Sequence, residues 1–147
     1  MTKPIYVLNG PNLNRLGTRE PEIYGRTTLA EIEAMCREAA RGRAIEFRQS
    51  NAEHEIIGWI HEAIDRGGGI VINPAAFTFT SIALLDALKM FPGPIIELHI
   101  SNIHAREEIY RHSLVSKIAT AVIAGLGARG YALAVRALAE MIEAEGG

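Results

Sequence analysis

Several things are scarce in this chain, and each scarcity removes a class of protein. Cysteine occurs once, at Cys36, so no internal disulfide can form and a reducing, cytoplasmic setting is expected. No apolar run reaches the ~18 residues of a membrane span, so no membrane partner is expected. Neither sign of charge dominates: 15 basic and 17 acidic residues give a formal net charge of −2. Nucleic acid needs a basic stripe or patch, so it is not an expected partner. The opening Met-Thr-Lys-Pro leads straight into a strand pattern with no apolar leader core, which argues against secretion. Internal repeats and low-complexity stretches are missing. His99, His104 and His112 follow no zinc spacing and lack thiol or acidic partners placed with them, so no metal is expected.

What is present is globular. Hydrophobic residues make up 48% of the chain and charged residues 22%. The 147 residues suit one domain spanning 1–147, long enough to bury about 70% of its unfolded surface.

Strand and helix patterns alternate. Strands are expected at Ile5–Leu8, Ile45–Arg48, Ile70–Ile72, Pro94–His99 and Thr120–Ala124. The third is apolar without alternation, as a strand buried on both faces should be. Thr28 with Glu31, and Ser50 with Glu53, have capping-box spacing ahead of two helices, the first running to about Arg41 and the second to the glycines at 67–69. Further helices are expected over Ser81–Met90 and Tyr131–Glu145, and one short helix plus a loop over residues 102–116. This order implies an α/β protein, a flavodoxin-like five-stranded parallel sheet with helices on both faces.

Polar residues gather where those strands end: Asn9, then Gln49-Ser-Asn51, Asn73, and His99 with Ser101 and Asn102. Open α/β sheets bind ligands at the carboxyl ends of their strands. A polar pocket for a small, oxygen-rich molecule is therefore expected. The connection Asn9–Gly25 is far longer than the usual ~2–6 residues and carries Asn12, Asn14, Arg15, Arg19 and Tyr24 between glycines and prolines, as a lid would.

Two pairs carry chemistry. Glu97 and His99 share one face of a strand, where a carboxylate can fix an imidazole's tautomer and support its cationic form, making His99 a general acid. Tyr24 follows Arg19 by five residues. A phenol is a poor base at neutral pH unless a nearby cation favours the phenolate, so this pair is a candidate general base. Arg106, in the polar stretch Ser101–Glu108, is expected to face the pocket or a subunit interface. Gly125-Leu-Gly-Ala-Arg-Gly130 spells the dinucleotide fingerprint, but it lies at the last strand with no room for the acidic residue that should follow. A tight turn and close helix packing account for it better.

Taken together, the motifs resemble the type II 3-dehydroquinate dehydratases. The matching stretches are Asn9-Gly-Pro-Asn-Leu-Asn14, Gly17–Gly25, Arg48-Gln-Ser-Asn51, Trp59-Ile-His61, Asn73-Pro74 with Thr80-Ser81, Ile96–Glu108 and Gly125–Tyr131. The resemblance runs nearly end to end. It implies a lyase (hydro-lyase) of the shikimate or quinate pathway. The reaction would be trans dehydration of 3-dehydroquinate to 3-dehydroshikimate through an enolate, with no cofactor and no Schiff base. It also implies a dodecamer of four trimers. By the same resemblance Tyr24 is the base, Arg19 the loop cation beside it, Asn12 the holder of a water on the enolate oxygen, and His99 the acid oriented by Glu97. Asn73 and the Ile100–Ser101 backbone would bind polar substrate groups, and Asp86 would reach a neighbouring subunit's site.

The chain departs from that pattern in its substrate-reading set. Phe79 stands where the family usually has His, and Tyr110 where it usually has Arg, with Arg111 one step later. Ala75 and Phe77 replace residues that are more often Gly and Tyr or Leu. Losing one polar contact to a buried group costs about 1–3 kcal/mol. The leading expectation is a 3-dehydroquinate dehydratase. The alternatives are a relative that dehydrates or enolises another hydroxylated keto acid, and a non-catalytic binding protein on the same scaffold.

Overall fold

The computed structural model describes residues 2–18 and 20–146. Five parallel strands, β1 (Ile5–Asn9), β2 (Ile45–Gln49), β3 (Gly69–Asn73), β4 (Ile95–His99) and β5 (Ala121–Ala124), lie in the order β2-β1-β3-β4-β5. This is the flavodoxin-like sheet read from the sequence, with its direction of winding reversing between β1 and β3. The register puts Asn9 beside Gln49 on one side and Asn73 on the other. Three amide side chains thus leave the sheet at one level.

Alternation within the strands fills two cores. Ile5, Val7, Val71, Ile96 and Leu98 pack toward α2 (Leu29–Ala39) and α5 (Arg129–Ala144). Tyr6, Leu8, Ile70, Ile72 and Ile95 pack toward α3 (Glu53–Arg66) and α4 (Ile82–Lys89). Helix α5 buries Tyr131, Ala134, Val135, Leu138 and Ile142, spacings of three and four that define one face. Cys36 is a buried core residue of α2, its thiol pushed up to about 12 by burial.

Helix starts follow side-chain chemistry, with one correction. At Thr28 the box forms in both directions: its hydroxyl accepts from the Glu31 N–H at 3.2 Å, and its own N–H donates to Glu31 Oε1 at 3.0 Å. Ser81 caps α4 by accepting from the Leu84 N–H at 2.9 Å. Ser50 does not cap α3. Its hydroxyl accepts from the Ala52 N–H at 2.9 Å and donates to Glu55, and the helix begins at Glu53 after an uncapped Ala52. Residues 102–116 form three 3-10 turns, at Ile103–Ala105, Glu108–Tyr110 and Val115–Lys117, rather than one helix and a loop. The long connection after β1 is also ordered locally, by a 3-10 turn at Leu13–Arg15 and by α1 (Pro21–Tyr24).

The glycine-rich stretch after β5 is a turn, with Gly125 at φ 91°. A Cβ on Gly130 would meet Leu98 Cδ1 at 3.3 Å, so close helix–sheet packing explains the last glycine.

Candidate active site

A cavity of about 320 Å³ opens at the carboxyl ends of β1, β3 and β4. Asn73, His99, Ile100 and Ser101 come from the strand ends, and Asn12 and Tyr24 from the long loop. Arg106 and Tyr110 come from the 3-10 turns after β4, and Phe79 from the 3-10 turn after β3. Most residues singled out in the sequence therefore meet here. A larger cavity, about 420 Å³, lies toward the amino ends of the strands between Arg41, Arg43, Arg136 and Glu140 and holds none of them.

The acid side of the site is built from the sheet outward. Glu97 is fully buried and its Oε2 pairs with His99 Nε2. Two hydroxyls that the sequence did not single out complete the shell: Ser113 donates to Glu97 Oε2 at 2.7 Å and Ser116 to Oε1 at 2.5 Å. Burial works to raise the carboxyl's pKa, but the imidazole and the two hydroxyls outweigh it and hold Glu97 below the ordinary carboxylate value. A buried carboxylate held by three hydrogen-bond partners fixes both the tilt and the tautomer of His99.

The loop side is built around Tyr24. Arg106 Nη1 donates to its phenol oxygen at 3.0 Å, and the guanidinium lies 5.6 Å from the Tyr24 ring centre. Arg19, the expected loop cation, lies outside the described residues. The same guanidinium sits 4.2 Å above the Tyr110 ring. Tyr110 meets Phe79 edge to face at 5.6 Å and 74°, and Phe79 in turn lies over His99 at 6.3 Å and 25°. Where the family pattern has an imidazole and a guanidinium, this site has an aromatic wall.

Beneath the cavity, Tyr131 of α5 donates to Asn9 Oδ1 at 2.7 Å and accepts from Asn73 Nδ2 at 2.9 Å. All three residues are buried. Asn9 therefore serves the floor and not the ligand. The end of β2 is also behind the site, which corrects the expectation that four strand ends line the crevice. Gln49 Nε2 donates to the Gly10 carbonyl at 3.0 Å, and Asn51 Oδ1 accepts from the Asn12 N–H at 2.9 Å. These contacts hold Asn12 at φ 70°, in the left-handed region that Asn tolerates.

Two further residues sit away from the cavity. Asp86 is exposed on α4, 3.9 Å from Lys89. Arg111 is tied outward, donating to the Arg106 carbonyl at 2.6 Å and reaching Glu108, so it does not take the place of the missing Arg. Among the described residues no three His, Cys, Asp or Glu side chains converge as a metal site would require.

A family profile described as Dehydroquinase class II matches residues 3–139. The chain belongs to the class II dehydroquinases. A 3-dehydroquinate dehydratase of Methylobacterium radiotolerans is 58% identical over 143 residues, 96% of each chain. The 3-dehydroquinate dehydratase 2 of Agrobacterium fabrum is 60% identical, over 90% of this chain and 91% of its own. The crystal structure of the type II dehydroquinase from Propionibacterium acnes superposes with a TM-score of 0.90 at 52% identity, covering 95% of this chain and 98% of that one. In this class II dehydroquinase the Glu97–His99 pair and Tyr24 stand at one cavity, with Phe79 and Tyr110 forming its aromatic wall.

Proposed function

We propose that this enzyme is a lyase that dehydrates 3-dehydroquinate to 3-dehydroshikimate, in trans and through an enolate, using no cofactor. The observation that carries the reading is one cavity with two unlike proton-transfer groups on its wall. One is an imidazole backed by a buried carboxylate, and the other a phenol under a guanidinium. Separate environments for acid and base are what a stepwise elimination needs.

In this reading the Tyr24 oxygen, as phenolate, takes a proton from the carbon beside the substrate ketone. Asn12 holds a water against the enolate oxygen that forms. His99, cationic and held by Glu97, gives its proton to the departing hydroxyl, and water leaves as the ring double bond closes. One proton is gained at Tyr24 and one lost at His99, so the proton count is unchanged, and a proton passes from the Tyr24 phenol to the His99 imidazole through solvent before the next turnover. Asn73 and the Ile100 and Ser101 backbone bind the substrate's carboxylate and hydroxyls. Arg19 enters as a second loop cation. Asp86 acts toward a neighbouring subunit, in keeping with its distance from its own cavity.

The reading extends to one catalytic unit over residues 1–147, working in the cytoplasm as a dodecamer of four trimers in a shikimate or quinate route. Exposed Ile82, Met90, Ile109 and Val122 are apolar surface that such an assembly would cover. No described helix is long and apolar enough to cross a membrane. The named relatives, above 55% identity, favour this substrate over another hydroxylated keto acid.

The test is an ultraviolet assay with 3-dehydroquinate, following the conjugated product. Turnover that is lost in Tyr24→Phe and in His99→Ala supports the reading. Folded protein without turnover overturns it. Light scattering at about twelve times the 16.0 kDa chain mass tests the assembly.

A further inference from the structure

We propose that Tyr110 is a positioning residue, which holds the Arg106 guanidinium on the Tyr24 oxygen through the face of its ring. The inference rests on Tyr24 acting as the base.

Arg106 has a long, flexible side chain that must be brought to one point. Its guanidinium meets two aromatic groups at once: the Tyr110 ring at 4.2 Å and the Tyr24 oxygen at 3.0 Å. A ring face attracts a cation best when the pair is screened from water. Tyr110 and Arg106 are both half-buried at the cavity wall. Tyr110 cannot swing freely, because Phe79 meets it edge to face at 5.6 Å, and Phe79 is itself seated over His99. Below, the Arg106 carbonyl is held by Arg111 at 2.6 Å. The guanidinium is thus fixed at both ends of its stem. The two departures from the family pattern, Phe79 and Tyr110, are one device. An apolar brace carries an aromatic shelf, and the shelf carries the cation that serves the base.

This role differs from direct substrate contact. A Tyr110 hydroxyl that read the substrate would be missed in Tyr110→Phe, chiefly in KM. A ring that seats Arg106 is kept in Tyr110→Phe and lost in Tyr110→Leu, chiefly in kcat.

The experiment is a double-mutant cycle on the full enzyme with 3-dehydroquinate, with thermal unfolding as a check on folding. Tyr110→Leu should lower kcat about tenfold, the size of a well-screened cation–ring contact, and Tyr110→Phe by no more than about threefold. In an Arg106→Ala background, adding Tyr110→Leu should change kcat by less than about twofold, because its target is already gone. A second full loss in that background overturns the inference, and so does an effect confined to KM. A crystal structure of Tyr110→Leu gives an arm that needs no turnover. The guanidinium should leave the Tyr24 oxygen, and finding it still at hydrogen-bond distance overturns the proposal. If the parent enzyme does not turn over 3-dehydroquinate, the functional reading fails while this structural arm still decides the role of Tyr110.

Discussion

Arg106 and Tyr24, 82 positions apart in the sequence, meet through a 3.0 Å hydrogen bond from guanidinium to phenol. The lid loop after β1 and the turns after β4 are joined by this contact. A change in either segment is therefore felt at the phenol.

The planar fork of Arg106 serves an edge contact to Tyr24 and a face contact to Tyr110 at the same time. A lysine ammonium is a compact point charge and cannot do both. Arg106→Lys should lower kcat about tenfold or more while leaving the unfolding midpoint within a few degrees. Steady-state kinetics beside thermal melts check this.

Ser113 and Ser116 donate to a fully buried carboxylate. Removing both leaves Glu97 under-bonded, at a cost of about 1–3 kcal/mol per lost donor. The sign with pH follows. Glu97 sits below the ordinary carboxylate value in the folded state, so its contribution is present above that value and lost as pH falls through the folded one. Without the hydroxyls the folded value moves up. Acid unfolding of Ser113→Ala/Ser116→Ala should begin at a higher pH than in the parent, as followed by circular dichroism from about pH 6 downward.

Glu62 links α3 to β1 and β2. It accepts from Arg48 Nη2 at 2.8 Å and from the Tyr6 hydroxyl at 2.6 Å. These two hydrogen bonds, that of Arg48 first, bring its carboxyl down from 4.5 to about 2. Its stabilisation is complete above pH ~4.5 and fades between there and about 2. Because the pair is partly solvated, Glu62→Gln should cost only about 1 kcal/mol at pH 7 and should flatten the acid limb of stability. Denaturant titrations at pH 7 and pH 3 separate the two values.

Ala75 has φ 53°, a left-handed conformation that a Cβ disfavours by about 1–2 kcal/mol. This explains why glycine is the commoner residue there in the family pattern. Ala75→Gly should raise stability by up to about 1 kcal/mol, or roughly 2–4 °C in Tm for a chain of this size. Calorimetry that showed a lower Tm would contradict the strain argument.

Much of the site could be read from the sequence because it obeys short periods. Glu97 and His99 share a face by the two-residue repeat of a strand, and Asn73 falls at a strand end by the same count. What the sequence did not reveal depends on long range. Ser113, in an irregular segment, and Ser116, in the 3-10 turn Val115–Lys117, reach Glu97 from chain that has no hydrophobic repeat to betray them. Tyr131 lies on the apolar face of α5, where a tyrosine reads as core, and only the fold shows its hydroxyl between Asn9 and Asn73. The Ser50 box had the right letters, but Glu55 and the Ala52 N–H hold that hydroxyl instead.

The bridge from Asn9 to Tyr131 spans 122 positions of chain. A growing polypeptide that had left the ribosome through residue 120 would already carry Tyr24, Glu97 and His99. It would still lack the edge strand β5 and the one hydroxyl that joins the ends of β1 and β3. The floor of the site is completed by α5, which follows all five strands in the chain. Without that helix one face of the sheet would lose its cover, and Asn9 and Asn73 would each lose one side-chain partner at the floor of the site.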